Sequence, residues 1–180
     1  MSKNFNSDTY RKTLEFATKA HGSQKTPFGY PYIFHVVSVA SIVLEACIKE
    51  NVTSVNEATN AALLHDTIED TPTTYEELKR EFGEEIANAV LALTLDKSLP
   101  TKSEQIKDSV RRIKMQPKWV WMVKLSDRIN NLGTPPKHWD NEKKQKYLYD
   151  AKEIYNGLYE ASEVLASKLA EKINEYKKYM

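Results

Sequence analysis

One cysteine, five glycines and no long apolar run are what this 180-residue chain has little of. A lone cysteine cannot close an internal disulfide, so the fold does not depend on an oxidising compartment. Cys47 stands in the apolar run Val43-Leu44-Glu45-Ala46-Cys47-Ile48, which reads as a buried, inert thiol rather than a nucleophile. No stretch approaches the roughly 18 apolar residues that a membrane span needs, and Met1 to Asp8 hold no apolar signal region. The expectation is a cytoplasmic protein with no membrane partner. Excess charge is missing as well: 26 basic residues face 25 acidic ones, a net charge of +1. That balance speaks against a general nucleic-acid binder, though it leaves room for a local basic pocket. No linker, low-complexity tract or internal repeat divides the chain. With 41% hydrophobic and 28% charged residues, residues 1–180 read as a single soluble domain around one core.

Helix signals are plentiful, and no convincing alternating strand pattern accompanies them, so the fold class reads as all-α. Capping boxes of the form S/T-x-x-E occur at Ser54 to Glu57, Thr73 to Glu76 and Thr101 to Glu104. Asp8 is a candidate cap for a first helix whose apolar face is Tyr10, Leu14, Ala17 and His21. Further helices are expected over about 36–49, 55–69, 74–81 and 84–95. Pro117 suits the first turn of another, running through Trp119, Val120, Val123 and Leu125 towards Asp127. From about Asn141, a stripe of Tyr147, Ala151, Ile154, Leu158, Ala161 and Leu165 forms a long packing face, with Gly157 a point of interruption. The stripe can serve the domain's own core or a second copy. Two Pro- and Gly-bearing stretches, Gln24 to Pro31 and Gly133 to Asp140, break the pattern and are candidate site-lining loops.

The densest chemistry lies in Leu63-Leu64-His65-Asp66-Thr67-Ile68-Glu69-Asp70. On one continuous helix, His65, Asp66, Glu69 and Asp70 would share an arc of roughly 140°. Three carboxylates so placed repel one another unless water or a cation lies among them. Imidazole with carboxylate is a ligand set for Mn, Fe or Zn. A solvated acidic helix end is the plainer account. His35, among apolar neighbours, has a plain account as a core or capping histidine. Asp127 has one as a salt-bridge partner of Lys124 or Arg128, and it also has Asn131 one turn on. His21 continues an apolar stripe and reads as structural. His138, beside Trp139, reads as exposed.

The order of these residues adds what none carries alone. A His, then His-Asp about 30 residues later, then a lone Asp about 60 beyond resembles the HD superfamily of metal phosphohydrolases. Ala20-His21-Gly22-Ser23-Gln24-Lys25 and Gly29-Tyr30-Pro31-Tyr32-Ile33-Phe34-His35 resemble the hydrolase domain of RelA/SpoT enzymes. So do Ala61 to Thr71, Phe82-Gly83, and Lys124-Leu125-Ser126-Asp127-Arg128 with Asn131. The likeness spans about 10–161 and leaves no room for a synthetase domain, so the chain is similar to stand-alone small alarmone hydrolases such as the metazoan SpoT-like enzymes.

The resemblance implies one Mn²⁺ per chain at His35, His65, Asp66 and Asp127. It implies that Glu69 and Asp70 carry out the proton and water chemistry, and that Lys25, Lys97, Asn131 and Tyr147 contact the nucleotide, with Thr94 and Ser126 as further contacts. The implied reaction removes the 3′-pyrophosphate of guanosine tetra- or pentaphosphate. One departure bears on the base: the family usually has Arg where this chain has Lys25, and Lys does not stack as a planar cation. Adenine alarmones and NADPH therefore stay open as substrates. Another HD phosphohydrolase and a non-catalytic nucleotide-binding module remain the competing readings.

Overall fold

The computed structural model describes residues 4–180. Among them the secondary structure is helical, apart from one isolated antiparallel bridge between Lys25 and Pro31. The helices are α1 (Ser7–His21), α2 (Ile33–Lys49), α3 (Val55–Leu64), α4 (Thr67–Asp70), α5 (Tyr75–Phe82), α6 (Glu84–Leu93), α7 (Lys102–Lys114), α8 (Lys118–Asn131), α9 (Asn141–Leu158) and α10 (Glu163–Tyr176). A 3₁₀ turn, Tyr159–Ala161, joins the last two. No helix is long and apolar enough to cross a membrane among the described residues.

The core forms around α3 and α8. In α3 only Asn56 and Glu57 escape full burial, and Ala58, Ala61 and Ala62 lie at 0% exposure. Such small side chains let α1, α2 and α8 approach the helix closely. Leu63 and Leu64 fill the space beyond them and are fully buried; truncating either to Ala would cost about 2–5 kcal/mol. α8 is apolar on most faces, with Trp119, Val120, Met122, Val123 and Leu125 buried. The stripe expected after Asn141 packs within the chain. Ala151, Ile154, Leu158 and Leu165 are buried, and α9 and α10 lie against α7 and α8. Its break falls just past Gly157, at Tyr159–Ala161. Gly157 itself is helical and serves close packing: a Cβ there would stand 2.5 Å from Val110 Cγ1 on α7.

Several helix ends differ from expectation. Asn6, not Asp8, caps α1, and its side chain accepts from the amides of Asp8 and Thr9. An Asn outside the helix can turn its carbonyl onto the second and third amides, whereas Asp8 already lies within the helix. Thr74 caps α5, one residue later than the Thr73 to Glu76 frame, because the Thr73 hydroxyl pairs with Thr71. Ser54 makes no cap bond. The Thr101 to Glu104 box forms with both arms. Pro117 stands just before α8, with ψ 150°, rather than inside its first turn. α2 begins at Ile33, ahead of the expected Val36, so His35 lies in its first turn. α6 stops at Leu93, short of 95.

The largest difference concerns the helix expected over 55–69. It breaks at His65 and Asp66, the latter at φ −100° and ψ 0°. The Thr67 hydroxyl donates to Leu64 O at 2.7 Å, and the His65 ring nitrogen Nδ1 donates to Ala62 O at 2.7 Å. Side-chain donors there take carbonyls that a continuing helix would use.

Candidate metal centre

Four donor atoms from three parts of the chain converge at this break. His35 comes from the first turn of α2, His65 and Asp66 from the α3–α4 joint, and Asp127 from the middle of α8. His35 Nε2 and His65 Nε2 are 3.3 Å apart. Asp66 Oδ2 lies 3.4 Å from the first and 3.1 Å from the second. Asp127 Oδ1 lies 3.6 and 3.7 Å from the same two nitrogens. His35, His65 and Asp127 are all buried and form a group with ligand atoms within 4.8 Å of one another. Metal–donor bonds of about 2.0–2.2 Å place neighbouring donors roughly 3.0–3.6 Å apart, so the cluster has the size and chemistry of a divalent metal site.

The hydrogen bond behind His65 agrees with that fit. Because Ala62 O can only accept, His65 Nδ1 carries a proton, and Nε2 is the nitrogen that points into the cluster. His35 Nδ1 lies 2.8 Å from the side-chain amide of Asn130. Tyr32 donates its hydroxyl to Asp66 Oδ2 at 2.6 Å and lies 3.4 Å from Asp70 Oδ2. Asn131 Nδ2 donates to Asp127 Oδ1 at 2.5 Å, and Lys124 Nζ is 3.5 Å from Asp127 Oδ2. The salt bridge weighed for Asp127 therefore exists with Lys124, while Arg128 forms none.

Charges in the cluster are mutually dependent. Burial opposes charge on His65, but the carboxylates of Asp66 and Asp127 outweigh it and hold the ring well above the ordinary histidine range. Burial likewise opposes ionisation of Asp66, yet His65 and His35 keep it well below the usual carboxylate range. Asp127 is lowered in the same way by Lys124 and His65. Burial, reinforced by the Asp66 charge, pushes the Tyr32 phenol up, so it stays a donor. A divalent cation bound among these groups would favour the unprotonated His65 Nε2 and the ionised carboxylates.

The chain matches the HD domain model over residues 13–164. A protein of Danio rerio, named guanosine-3′,5′-bis(diphosphate) 3′-pyrophosphohydrolase MESH1, is 37% identical over 164 residues, covering 88% of each chain. The chain belongs to the HD domain family. An Aquifex aeolicus protein named guanosine-3′,5′-bis(diphosphate) 3′-pyrophosphohydrolase is 39% identical over 149 residues, 81% of this chain but 20% of that longer one. A solved structure described as a metazoan ortholog of SpoT that hydrolyzes ppGpp superposes with a TM-score of 0.81 at 29% identity, covering 96% of this chain and 97% of that one. These HD relatives place the chain among the hydrolases.

Around the HD cluster the other expected residues divide. Past the helix break, His65 and Asp66 stay together, Asp70 stays near them through Tyr32, and Glu69 turns away. Asp70 points to Tyr32 and to Lys97, whose Nζ is 3.9 Å away. Glu69 turns instead to the segment after α6, where its Oε2 accepts from Leu95 N at 2.9 Å. Lys97 Nζ donates to Glu69 O at 2.9 Å. Tyr147 lies under the Arg128 guanidinium, with its hydroxyl 3.4 Å from Asn131 O, and burial pushes its phenol up to about 12. Lys25 is exposed, beside the Lys25–Pro31 bridge. The Thr94 hydroxyl is spent on Val90 O. Ser126 is fully buried with its Oγ unpartnered. His21 is buried, bonded to Gln24 and ringed by Tyr32, and His138 is exposed.

Sequence reasoning missed Tyr32 and Asn130 as neighbours of the donors. Tyr32 precedes His35 by three residues, a spacing that shares a helix face. Asn130 meets His35 across 95 residues, and no local pattern signals that contact.

Proposed function

We propose that this chain removes the 3′-pyrophosphate of guanosine tetra- or pentaphosphate, with Mn²⁺ held by His35, His65, Asp66 and Asp127. The observation that carries this reading is the tight grouping of two imidazole Nε2 atoms and two carboxylates at 3.1–3.7 Å. The names of the relatives supply the substrate. A divalent cation supplies an acidified water and Lewis acidity towards phosphoryl oxygens.

The chain's own residues divide the remaining work. Asp70 is the group we assign to take the proton of the attacking water, because its carboxylate is not anchored to the backbone. Glu69 is anchored by Leu95 N and orients that water. Lys97, between Glu69 O and Asp70, faces the phosphates. Asn131 and Tyr147 border the ribose and base, and Lys25 flanks the base. The water oxygen bonds to the phosphorus next to O3′, the P–O3′ bond breaks, and the ribose oxygen takes a proton as pyrophosphate leaves.

The test is a nucleotide panel with Mn²⁺ present, scoring pyrophosphate and phosphate release from guanosine tetraphosphate, its adenine counterpart and NADPH. Pyrophosphate release from the guanosine compound, abolished by His65→Ala, is the expected result. Phosphate release from NADPH alone would replace this reading with the other HD chemistry that Lys25 leaves open. No release from any of them, by protein that takes up Mn²⁺, would leave a binding module.

A further inference from the structure

Arg128 on α8 is a buried arginine, 6% exposed, with no hydrogen-bond acceptor for its Nε and Nη1 among the described residues. One face of its guanidinium lies over the Tyr147 ring, 4.7 Å from the centroid. Stacking occupies the face of the group and leaves its edge, where the N–H donors point, open to an acceptor.

Other cations gather beside it. The Lys102 ammonium, at the start of α7, is disfavoured first by burial; Glu69 attracts it, while Lys124, Arg128 and Lys97 repel it, and no ion pair or hydrogen bond among the described residues engages it. Lys124 stands one turn before Arg128 on α8. The carboxylates nearby are poor counter-ions for this group. Glu69 gives its Oε2 to Leu95 N, and Asp127, 3.5 Å from Lys124, belongs to the donor cluster. Asp150 is buried, interacts electrostatically with Arg128 and Lys102, yet forms an ion pair with neither. Burial pushes its carboxyl up, towards the neutral form.

We propose that Arg128, with Lys102 and Lys124, forms an anion subsite beside the metal centre that takes the diphosphate under attack. Contact between Lys124 and Asp127 sets the subsite against the donor cluster, so it receives the diphosphate that reacts there rather than one at the far end of the nucleotide. A guanidinium edge matches two phosphoryl oxygens at once, and two ammonium groups supply the remaining charge. This rests on the reading of the centre as a nucleotide phosphohydrolase.

Calorimetric titration of the full chain with inorganic pyrophosphate, and separately with GDP, tests it. Arg128→Met and Lys102→Met should each weaken pyrophosphate binding about tenfold and change GDP binding less than about twofold. Asp150→Asn should tighten pyrophosphate several-fold, because it removes negative charge from beside the anion. Should Arg128→Met fail to fold, Lys102→Met, at an exposed helix start, still decides. Unchanged pyrophosphate affinity in Lys102→Met overturns the subsite. So does an Asp150→Asn protein that melts earlier and binds pyrophosphate as before, since Arg128 would then be the water-linked partner of Asp150. A wild type that hydrolyses guanosine tetraphosphate while its variants bind pyrophosphate normally would sink the subsite and spare the activity. Weakened pyrophosphate binding without any hydrolysis would do the reverse.

Discussion

Tyr32 and Asp66 lie 34 residues apart in the chain and share a 2.6 Å hydrogen bond from hydroxyl to carboxylate. The oxygen that accepts it, Oδ2, is also the one that faces both histidines. Tyr32 thereby fixes which way the Asp66 carboxylate points. Tyr32→Phe keeps the ring contacts with His21 and His35 and removes only the hydroxyl. We expect about tenfold weaker Mn²⁺ binding with little change in melting temperature, read by competition with a chelating dye. Wild-type affinity in the variant would show that Asp66 is oriented by something else.

Asn130 acts on the opposite side of the cluster, 2.8 Å from His35 Nδ1. The atom facing that nitrogen is Nδ2; a half-turn of the side-chain amide, which a bound cation would favour, brings the carbonyl oxygen round to accept Nδ1–H and frees Nε2. Asn130→Leu should lower Mn²⁺ affinity about tenfold, whereas Asn130→Asp, a stronger acceptor, should retain or raise it. Titration of metal-stripped protein ranks the three. Equal losses in both variants would mean that bulk or packing at this position matters and the hydrogen bond does not.

At Gly157 an added methyl would meet Val110 Cγ1 at 2.5 Å. Val110 is β-branched and stiff in a helix, so it cannot swing aside cheaply. Gly157→Ala should destabilise the protein by about 1–2 kcal/mol, the overpacking cost less the helix propensity that Ala gains. Adding Val110→Ala should recover most of this. Urea denaturation of the single and double variants measures both, and a stabilised single variant would mean that α7 and α9 separate easily.

Glu45 on α2 accepts from Lys49 at 2.7 Å and from Lys168 on α10 at 2.5 Å, and these bonds lower its pKa to about 2. A carboxyl lowered on folding adds stability above its unfolded value, here 4.5, and loses it as pH falls towards the folded one. The side chain is 43% exposed, so screening limits the pair to about 0.5–1 kcal/mol. Glu45→Gln should melt lower than wild type at pH 6, with the gap closing from about pH 4.5 downward. A gap that persists undiminished at the lowest pH where both still fold would contradict the ion-pair account.

How much of this was legible in the sequence depends on the range of the interaction. The all-α class followed from apolar spacing and caps, which are local, and the Thr101 to Glu104 box formed as written. The caps at Asn6 and Thr74 went astray by a residue or two because neighbouring hydroxyls and amides compete for the same N–H groups. The break at His65 and Asp66 was hidden, since Leu63 to Asp70 carries no glycine or proline; side chains of His65 and Thr67 capture the carbonyls instead. Of the centre, the residues matching the HD order were readable in advance. Asn130 and Arg128 were not, because the first gains its meaning from a partner 95 residues away and the second from Nε and Nη1 donors that meet no acceptor among the described residues.

The interruption after Leu64 also divides labour along the chain. α3 carries the burden of the interior, with Leu63 and Leu64 sealed in. α4 carries Glu69 and Asp70 on a single turn that shares little of that burden. Substitutions on the short turn can therefore retune the chemistry while the scaffold holds, and substitutions on α3 are paid in folding before they reach the chemistry. A lineage exploring new phosphate esters would be expected to vary the turn and leave α3 alone.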